Sequence, residues 1–288
     1  MKKKYKAIFF DWDGTAVLSR KAPVDEAVAA MKPLLEQGTK LAIISGTTYE
    51  NIAGGEIEKY FTKNQLNNLY LGLGRGAYNY SFIDGKPHIF ANLIPDKKIM
   101  EAVHKICFVI HMELKNKYNF DTDIVFSRPN YCKIDLMVNN LRGDNLFMQE
   151  NELDLLKASL SEHGIRGGVQ TVIDLAIETG KRYEIEVVPT CDAKYLEVGI
   201  SSKSNNVDTI FELLHEKSGI CPEECSFWGD EYVGIEKGIF GSDSFMYTSK
   251  TADGDFYDVS NVFGERPLAV KQVGGGVATF LQFLREQV

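Results

Sequence analysis

The run Ala7-Ile8-Phe9-Phe10 is apolar at every position and stops at Asp11. A strand with no polar face is buried on both sides, as happens in a parallel sheet covered by helices. The same pattern recurs downstream. Val24, Ala27, Val28, Met31, Leu34 and Leu35 fall on one helical stripe that ends at Gly38, although Pro33 interrupts it. "KLAIISG" is a second buried strand, and a short helix over about 48–60 precedes a third, "NLYLGLG". This β-α-β-α-β order is the signature of an α/β, Rossmann-like parallel sheet.

The rhythm changes at residue 78. "AYNYSFIDGKPHIFA" reads as a hairpin turning at Asp84-Gly85, with Tyr78, Tyr80 and Phe82 on one face. A long helix with Asp96 as N-cap follows. "DIVFSRP", "CKIDLMVN", "YEIEVVP" and "KYLEVG" read as strands. "NELDLLKASLSEHG" and "VQTVIDLAIETG" read as helices closed by Gly164 and Gly180. After residue 196 the first rhythm returns, with a helix in "KSNNVDTIFELLHEKSG", strands in "CSFWGD" and "SFMYTS", and a last helix after Gly274-Gly275-Gly276. The expected organisation is a core made of 1–77 and 197–288, split by an inserted α+β cap domain at 78–196.

Composition narrows the function classes. The 288 residues carry a net charge of -8, so a sequence-independent nucleic-acid binder, which would be basic, is disfavoured. No apolar run approaches the ~20 residues of a membrane span. The short run after the basic head "MKKKYK" ends at Asp11 with no small-residue cleavage site, unlike a signal peptide. Five cysteines without a CxxC pair (Cys107, Cys132, Cys191, Cys221, Cys225) read as reduced thiols of a cytoplasmic protein.

In an open α/β sheet, ligands bind at the C-terminal ends of the strands. Three such ends carry unusual groups: Asp11 and Asp13, then Ser45 and Thr47, then Gly229-Asp230-Glu231. If the strands are neighbours, their carboxylates crowd one crevice, which is costly unless a cation sits among them. Oxygen donors suit Mg2+, which binds through a few carboxylates together with phosphate and water. Asp11 can attack phosphorus as a nucleophile. Asp13 can protonate the leaving oxygen and then deprotonate water, with Gly14 permitting the tight turn. Thr15, Ser45 and the backbone at Gly46 can hold phosphate oxygens. Lys203, at a helix start, can neutralise the phosphoryl group and Asp11.

"DWDGT", "ISGT", Lys203 in "SSKSNNV" and "WGDE" together resemble the four ordered motifs of the haloacid dehalogenase-like hydrolases. The placement of the insertion resembles the branch with a large α/β cap, which includes Cof-type sugar-phosphate phosphatases, sucrose-phosphate phosphatase and eukaryotic phosphomannomutase. The resemblance implies Mg2+-dependent phosphoryl transfer through Asp11, with Asp13 as acid and base. It also implies a metal held by the Asp11 side chain, the Asp13 carbonyl and Asp230, and a cap that closes over the site and selects the substrate. One departure stands out. Where Cof-type members continue with an Asn-Asp pair, this chain has Val233 and Gly234. Glu231, Glu236 or Asp243 can supply the missing acid, and adjacency favours Glu231.

Arg75 is open between a hinge role and a substrate contact. Arg128 and Arg166 are candidate substrate contacts from the inserted region, set against ordinary solvated arginines. The expected activity is hydrolysis of a small phosphorylated metabolite, a sugar phosphate first. Phosphotransfer to a sugar hydroxyl, and a catalytically silent metabolite-binding relative, are the alternatives.

Overall fold

The computed structural model describes residues 3–140 and 151–288. Strand β1 (Ala7–Phe10), helix α1 (Asp25–Gln37), strand β2 (Lys40–Ser45), the short helix α2 (Lys63–Leu66) and strand β3 (Leu69–Leu73) form in the expected order. Every residue of β1 and β3 is buried. Three short 3-10 turns, at Tyr49–Asn51, Ala53–Gly55 and Ile57–Tyr60, replace the helix expected over 48–60. Gly54 and Gly55 take φ of +68° and +77° there, which no α-helix accommodates.

The hairpin β4 (Tyr78–Ile83) and β5 (Lys86–Asn92) turns at Asp84-Gly85, both with positive φ. Expected in the inserted region, it instead pairs with β3 through Leu71↔Tyr80 and Leu73↔Tyr78, and so extends the first sheet. Phe82 packs into the same core as Leu34 and Leu71. Paired backbone overrides a boundary read from the change in side-chain pattern, and the first unit runs on to Leu93.

The second unit contains α3 (Lys97–Tyr118), β6 (Asp123–Val125), β7 (Tyr131–Asp135), α4 (Glu152–Glu162), α5 (Gly168–Arg182), β8 (Thr190–Cys191) and β9 (Tyr195–Gly199). Its antiparallel sheet has the order β6-β7-β9-β8. Val103, Ile106, Ile110 and Leu114 of α3 pack with Cys132, Ile134, Val169 and Val172. Asp96 caps α3 by accepting the Ile99 N–H at 2.8 Å. "YEIEVVP" forms no strand; Glu184 there takes φ +58°, which breaks extended pairing. Helix α5 runs past Gly180 to Arg182.

The chain then returns through α6 (Lys203–Ser218), β10 (Cys225–Gly229), the hairpin β11 (Gly234–Glu236) and β12 (Ile239–Phe240), β13 (Asp255–Asp258), β14 (Val270–Gln272) and α7 (Gly276–Gln287). "SFMYTS" is not a strand: Ser242–Met246 is a 3-10 turn, and the next strand of the sheet is β13. The first sheet has the order β14-β13-β10-β1-β2-β3-β4-β5. Its alternating side chains feed two cores. Ile8 and Phe10 pack with residues of α1 and α7, whereas Ala7 and Phe9 pack with Val207, Ile210 and Phe211 of α6. The strand order reverses around β1, so the crevice-forming switch point lies at its C-terminal end.

The β11–β12 hairpin belongs to the second unit, although its flanking residues belong to the first. Ile235 and Ile239 join the second core, and Glu236 Oε2 accepts the Gln170 N–H at the start of α5, 3.2 Å away. Among the described residues no helix is long and apolar enough to cross a membrane.

Candidate active site

Strand β1 runs parallel between β2 and β10, with Phe10 opposite both Ile43 and Trp228. The Asp11 N–H still pairs with the Trp228 carbonyl at 2.9 Å, so Asp11 stands at the last rung of the sheet. The chain then folds back at once. The Val17 carbonyl accepts the Gly14 N–H at 2.7 Å, and the Trp12 carbonyl accepts from Ala16 at 3.0 Å. Gly14 takes φ +84°, and a Cβ there would overlap the Asp230 carboxylate. Likewise a Cβ on Gly229 would overlap the Asp243 carboxylate. The two glycines therefore leave room for two acids to press against backbone.

Asp11, Asp230 and Asp243 each present a carboxylate oxygen within 4.8 Å of the others. Lys203, the first residue of α6, donates to Asp11 Oδ1 at 2.8 Å and to Asp243 Oδ1 at 2.7 Å. Asp243 is fully buried, and its Oδ2 accepts the N–H groups of Asp230 (3.0 Å) and Glu231 (2.8 Å). Thr15 donates to Asp230 Oδ1 at 3.1 Å. The third carboxylate of the cluster is thus Asp243 rather than the favoured Glu231, which meets Asp243 through its backbone. Glu236 lies in the second unit, committed to the start of α5. The acid pair expected within a few residues of Asp230 is split by the β11–β12 hairpin.

Burial pushes the Asp11 carboxyl well above its ordinary range, with Lys203 pulling it back and Asp243 adding to the rise. Burial also raises Asp230, reinforced by Asp243 and Glu231. Burial alone would lower Lys203, but Asp11 and Asp243 outweigh it and hold the ammonium well above its usual value. Three acids around one lysine are short of positive charge. The oxygen donors, buried at Asp11 and Asp243 and half-buried at Asp230, the short separations and the glycine cradle fit a hard divalent cation.

Asp13 lies apart from this cluster. Its Oδ2 is paired with Arg20 at 3.0 Å, and its Oδ1 is buried without a hydrogen-bond partner. Burial raises its carboxyl, and Arg20 opposes that. Ser45 is buried at the end of β2, where its Oγ accepts the Thr47 N–H at 3.3 Å; the Thr47 hydroxyl is buried without a partner. Gly46 follows Ser45 directly, and the Arg75 stem lies beside it. Arg128, on the loop before β7, and exposed Arg166, between α4 and α5, belong to the second unit. Arg20 was missed by sequence reasoning, because nothing in "LSRKA" ties an arginine to an acid seven positions earlier. Asn206 was missed too; its place one turn after Lys203 on α6 is the available signal.

No family model and no curated relative matches the chain. Solved structures do. IMP-nucleotidase of Plasmodium falciparum superposes with a TM-score of 0.58 at 13% identity, covering 100% of this chain and 63% of that one. The chain therefore spans less than two thirds of that protein's length. The IMP-bound form of a mutant of the same enzyme gives a TM-score of 0.60 at 14% identity, with coverage of 99% and 68%. The sucrose-phosphatase of Synechocystis sp. PCC6803, in complex with sucrose and phosphate, gives 0.55 at 13% identity, covering 99% of this chain and 98% of that one. The fold is that of haloacid dehalogenase-like phosphatases.

Proposed function

We propose that a chain with this fold and this cluster of acids is a Mg2+-dependent phosphatase of small phosphorylated metabolites, with sugar phosphates as the leading substrate class. The observation that carries the reading is Asp11. It stands at the switch point of the sheet, bonded to Lys203 and within 4.8 Å of Asp230 and Asp243. Asp11, Asp230 and Asp243, with the Asp13 carbonyl, would hold the cation. When bound, it would screen the negative charge that otherwise keeps an anionic substrate from an anionic nucleophile.

The residues have separable tasks. Asp11 attacks phosphorus; an oxygen–phosphorus bond forms at its carboxylate while the bond to the leaving oxygen breaks. Asp13, whose Oδ1 lacks a protein partner, delivers the proton to that leaving oxygen and later takes one from water. Its ion pair with Arg20 holds the side chain until a substrate oxygen competes for it. Thr15, Ser45 and the Gly46 backbone hold phosphoryl oxygens. Lys203 fixes Asp11 and meets the charge that develops on the phosphoryl group.

The test is phosphate release from a panel of sugar phosphates, nucleoside monophosphates and an aryl phosphate, with MgCl2 or with EDTA. The nucleotides are included because an IMP-nucleotidase is among the structural neighbours. The expected result is turnover that EDTA abolishes, fastest on a sugar phosphate. Failure on every compound would sink the proposal; isomer formation without phosphate release would turn it to phosphotransfer.

Metal dependence is also expected in stability. Asp11 and Asp230 are raised in the fold, so the folded chain keeps protons that the unfolded chain releases near pH ~4. The metal-free protein accordingly loses stability as pH rises from there through the raised values. A cation favours the ionised forms and offsets that loss. The rise in Tm on replacing EDTA with MgCl2 should grow as pH rises above the ordinary carboxylate range near pH ~4. A rise that stays constant with pH would place the cation elsewhere.

A further inference from the structure

Arg75 carries a backbone cost that its neighbours avoid. Gly74, Arg75 and Gly76 all take left-handed conformations, at φ +66°, +54° and +97°. Glycine adopts this region freely, whereas a residue with a Cβ is strained there. The turn uses glycine on both sides and keeps an arginine in the middle. An outlier of this kind, beside a candidate site, points to a function for the side chain.

The turn is fixed from two directions, and both lead to the phosphoryl-binding elements. The Gly74 N–H donates to the Thr47 carbonyl at 2.9 Å, tying it to the loop after β2. Asn206, fully buried, accepts the Gly76 N–H at 2.6 Å and donates to the Tyr78 carbonyl (3.1 Å) and to Asn79 Oδ1 (2.9 Å). It sits one turn after Lys203 on α6. The helix that presents the ammonium to Asp11 therefore also clamps the turn that presents the guanidinium.

The direction of the side chain can be read from its stem. Strands β1, β2 and β3 are consecutive neighbours, so the end of β3 stands about 10 Å from the end of β1. Arg75 Cγ lies 3.8 Å from the point where a Gly46 Cβ would be. The stem thus leaves β3 and lies beside the end of β2, the strand that separates β3 from β1. The bonds beyond Cγ reach about one strand spacing further. Arg75 is only 3% exposed, so its side chain lies inside the protein rather than in solvent.

We propose that Arg75 is a catalytic residue of the phosphoryl transfer, its guanidinium donating to the phosphoryl oxygens from the β3 side while Lys203 serves Asp11. This rests on the phosphatase reading and adds a second cation to it. A planar guanidinium suits two oxygens of one phosphoryl group better than an ammonium does. Its contribution is electrostatic and makes or breaks no covalent bond. The transferred group gains one bond to Asp11 and loses one to the leaving oxygen, and the guanidinium offsets the charge on the oxygens that stay.

The experiment compares wild type, Arg75→Gly, Arg75→Lys and Asp11→Asn on an aryl phosphate with MgCl2. It adds vanadate inhibition, thermal melting, and recovery by millimolar guanidinium ion. Arg75→Gly should lower kcat/KM by about 100-fold or more and weaken vanadate inhibition in parallel. It should melt at or above the wild-type temperature, because glycine relieves the strain, and added guanidinium should restore part of the rate. Arg75→Lys should recover less than guanidinium does. The inference is overturned if Arg75→Gly keeps wild-type activity, or if its loss follows a lowered Tm without recovery by guanidinium. A wild type with no Mg2+-dependent turnover overturns the phosphatase reading as well; an active wild type with an inactive Asp11→Asn leaves that reading standing.

Discussion

Asp11→Asn is expected to abolish phosphate release, by about 10³-fold or more in kcat, because the amide oxygen is no nucleophile. The fold should not suffer. Burial and Asp243 already disfavour the Asp11 carboxylate, so a neutral amide of the same shape removes one of the crowded negative charges. The variant should melt at or above the temperature of metal-free wild type and gain less from MgCl2. A carboxylate that is costly to the fold yet necessary to the reaction is the usual exchange of stability for activity. Activity within tenfold of wild type would exclude Asp11 as the nucleophile. A variant that fails to fold would show instead that Asp11 is chiefly a structural partner of Lys203.

Lys203→Met is expected to have the largest effect on stability. The ammonium is bonded to Asp11 and Asp243, and all three side chains are at least nine-tenths buried. Removing one partner of a buried ion pair leaves uncompensated charge and costs about 3–5 kcal/mol. Here two acids lose their cation at once. Urea unfolding should show the loss, and adding Asp243→Asn should recover part of it, because one orphaned charge disappears. An unchanged urea midpoint would mean that the lysine is solvated. The double variant also separates repulsion from packing: if it recovers nothing, the lost stem contacts of Lys203 dominate.

Much of the crevice end of the sheet was legible in the sequence for a simple reason. Buried parallel strands are continuously apolar, and the crevice lies at their ends, so polar residues that interrupt such runs mark it. Asp11, Ser45 and Asp230 were found in this way. Lys203 needed the order of the motifs, since a lysine at a helix start is ordinary by itself. Asp243 was harder. It sits thirteen residues after Asp230 because a hairpin stands between them, and nothing local in "GIEKGIFGSD" tells that the chain leaves one unit and returns. The boundary at 77 failed for a related reason: alternation marks a strand but does not tell which sheet it joins. Arg20 pairs with an acid seven residues earlier and Asn206 with a turn 130 residues away, and apart from the place of Asn206 one turn after Lys203 the sequence carries no trace of either pairing. In the second unit, the Glu184 left-handed turn ended a strand that β-branched composition had suggested.

The way the chain is threaded bears on how this protein can be re-engineered. The second unit comprises Ile94–Ser202 and also Val233–Ser242. A chimera that exchanges the long segment alone would keep a hairpin whose Ile235 and Ile239 have lost their neighbours and whose Glu236 has lost its helix. Asp243 directly follows the Val233–Ser242 segment that carries the stranded hairpin, so the graft would disturb the acid cluster even with each of its three acids unaltered. Transplanting the two segments as a matched set avoids this, and a donor protein without the hairpin can contribute only if its recipient loop is shortened to suit.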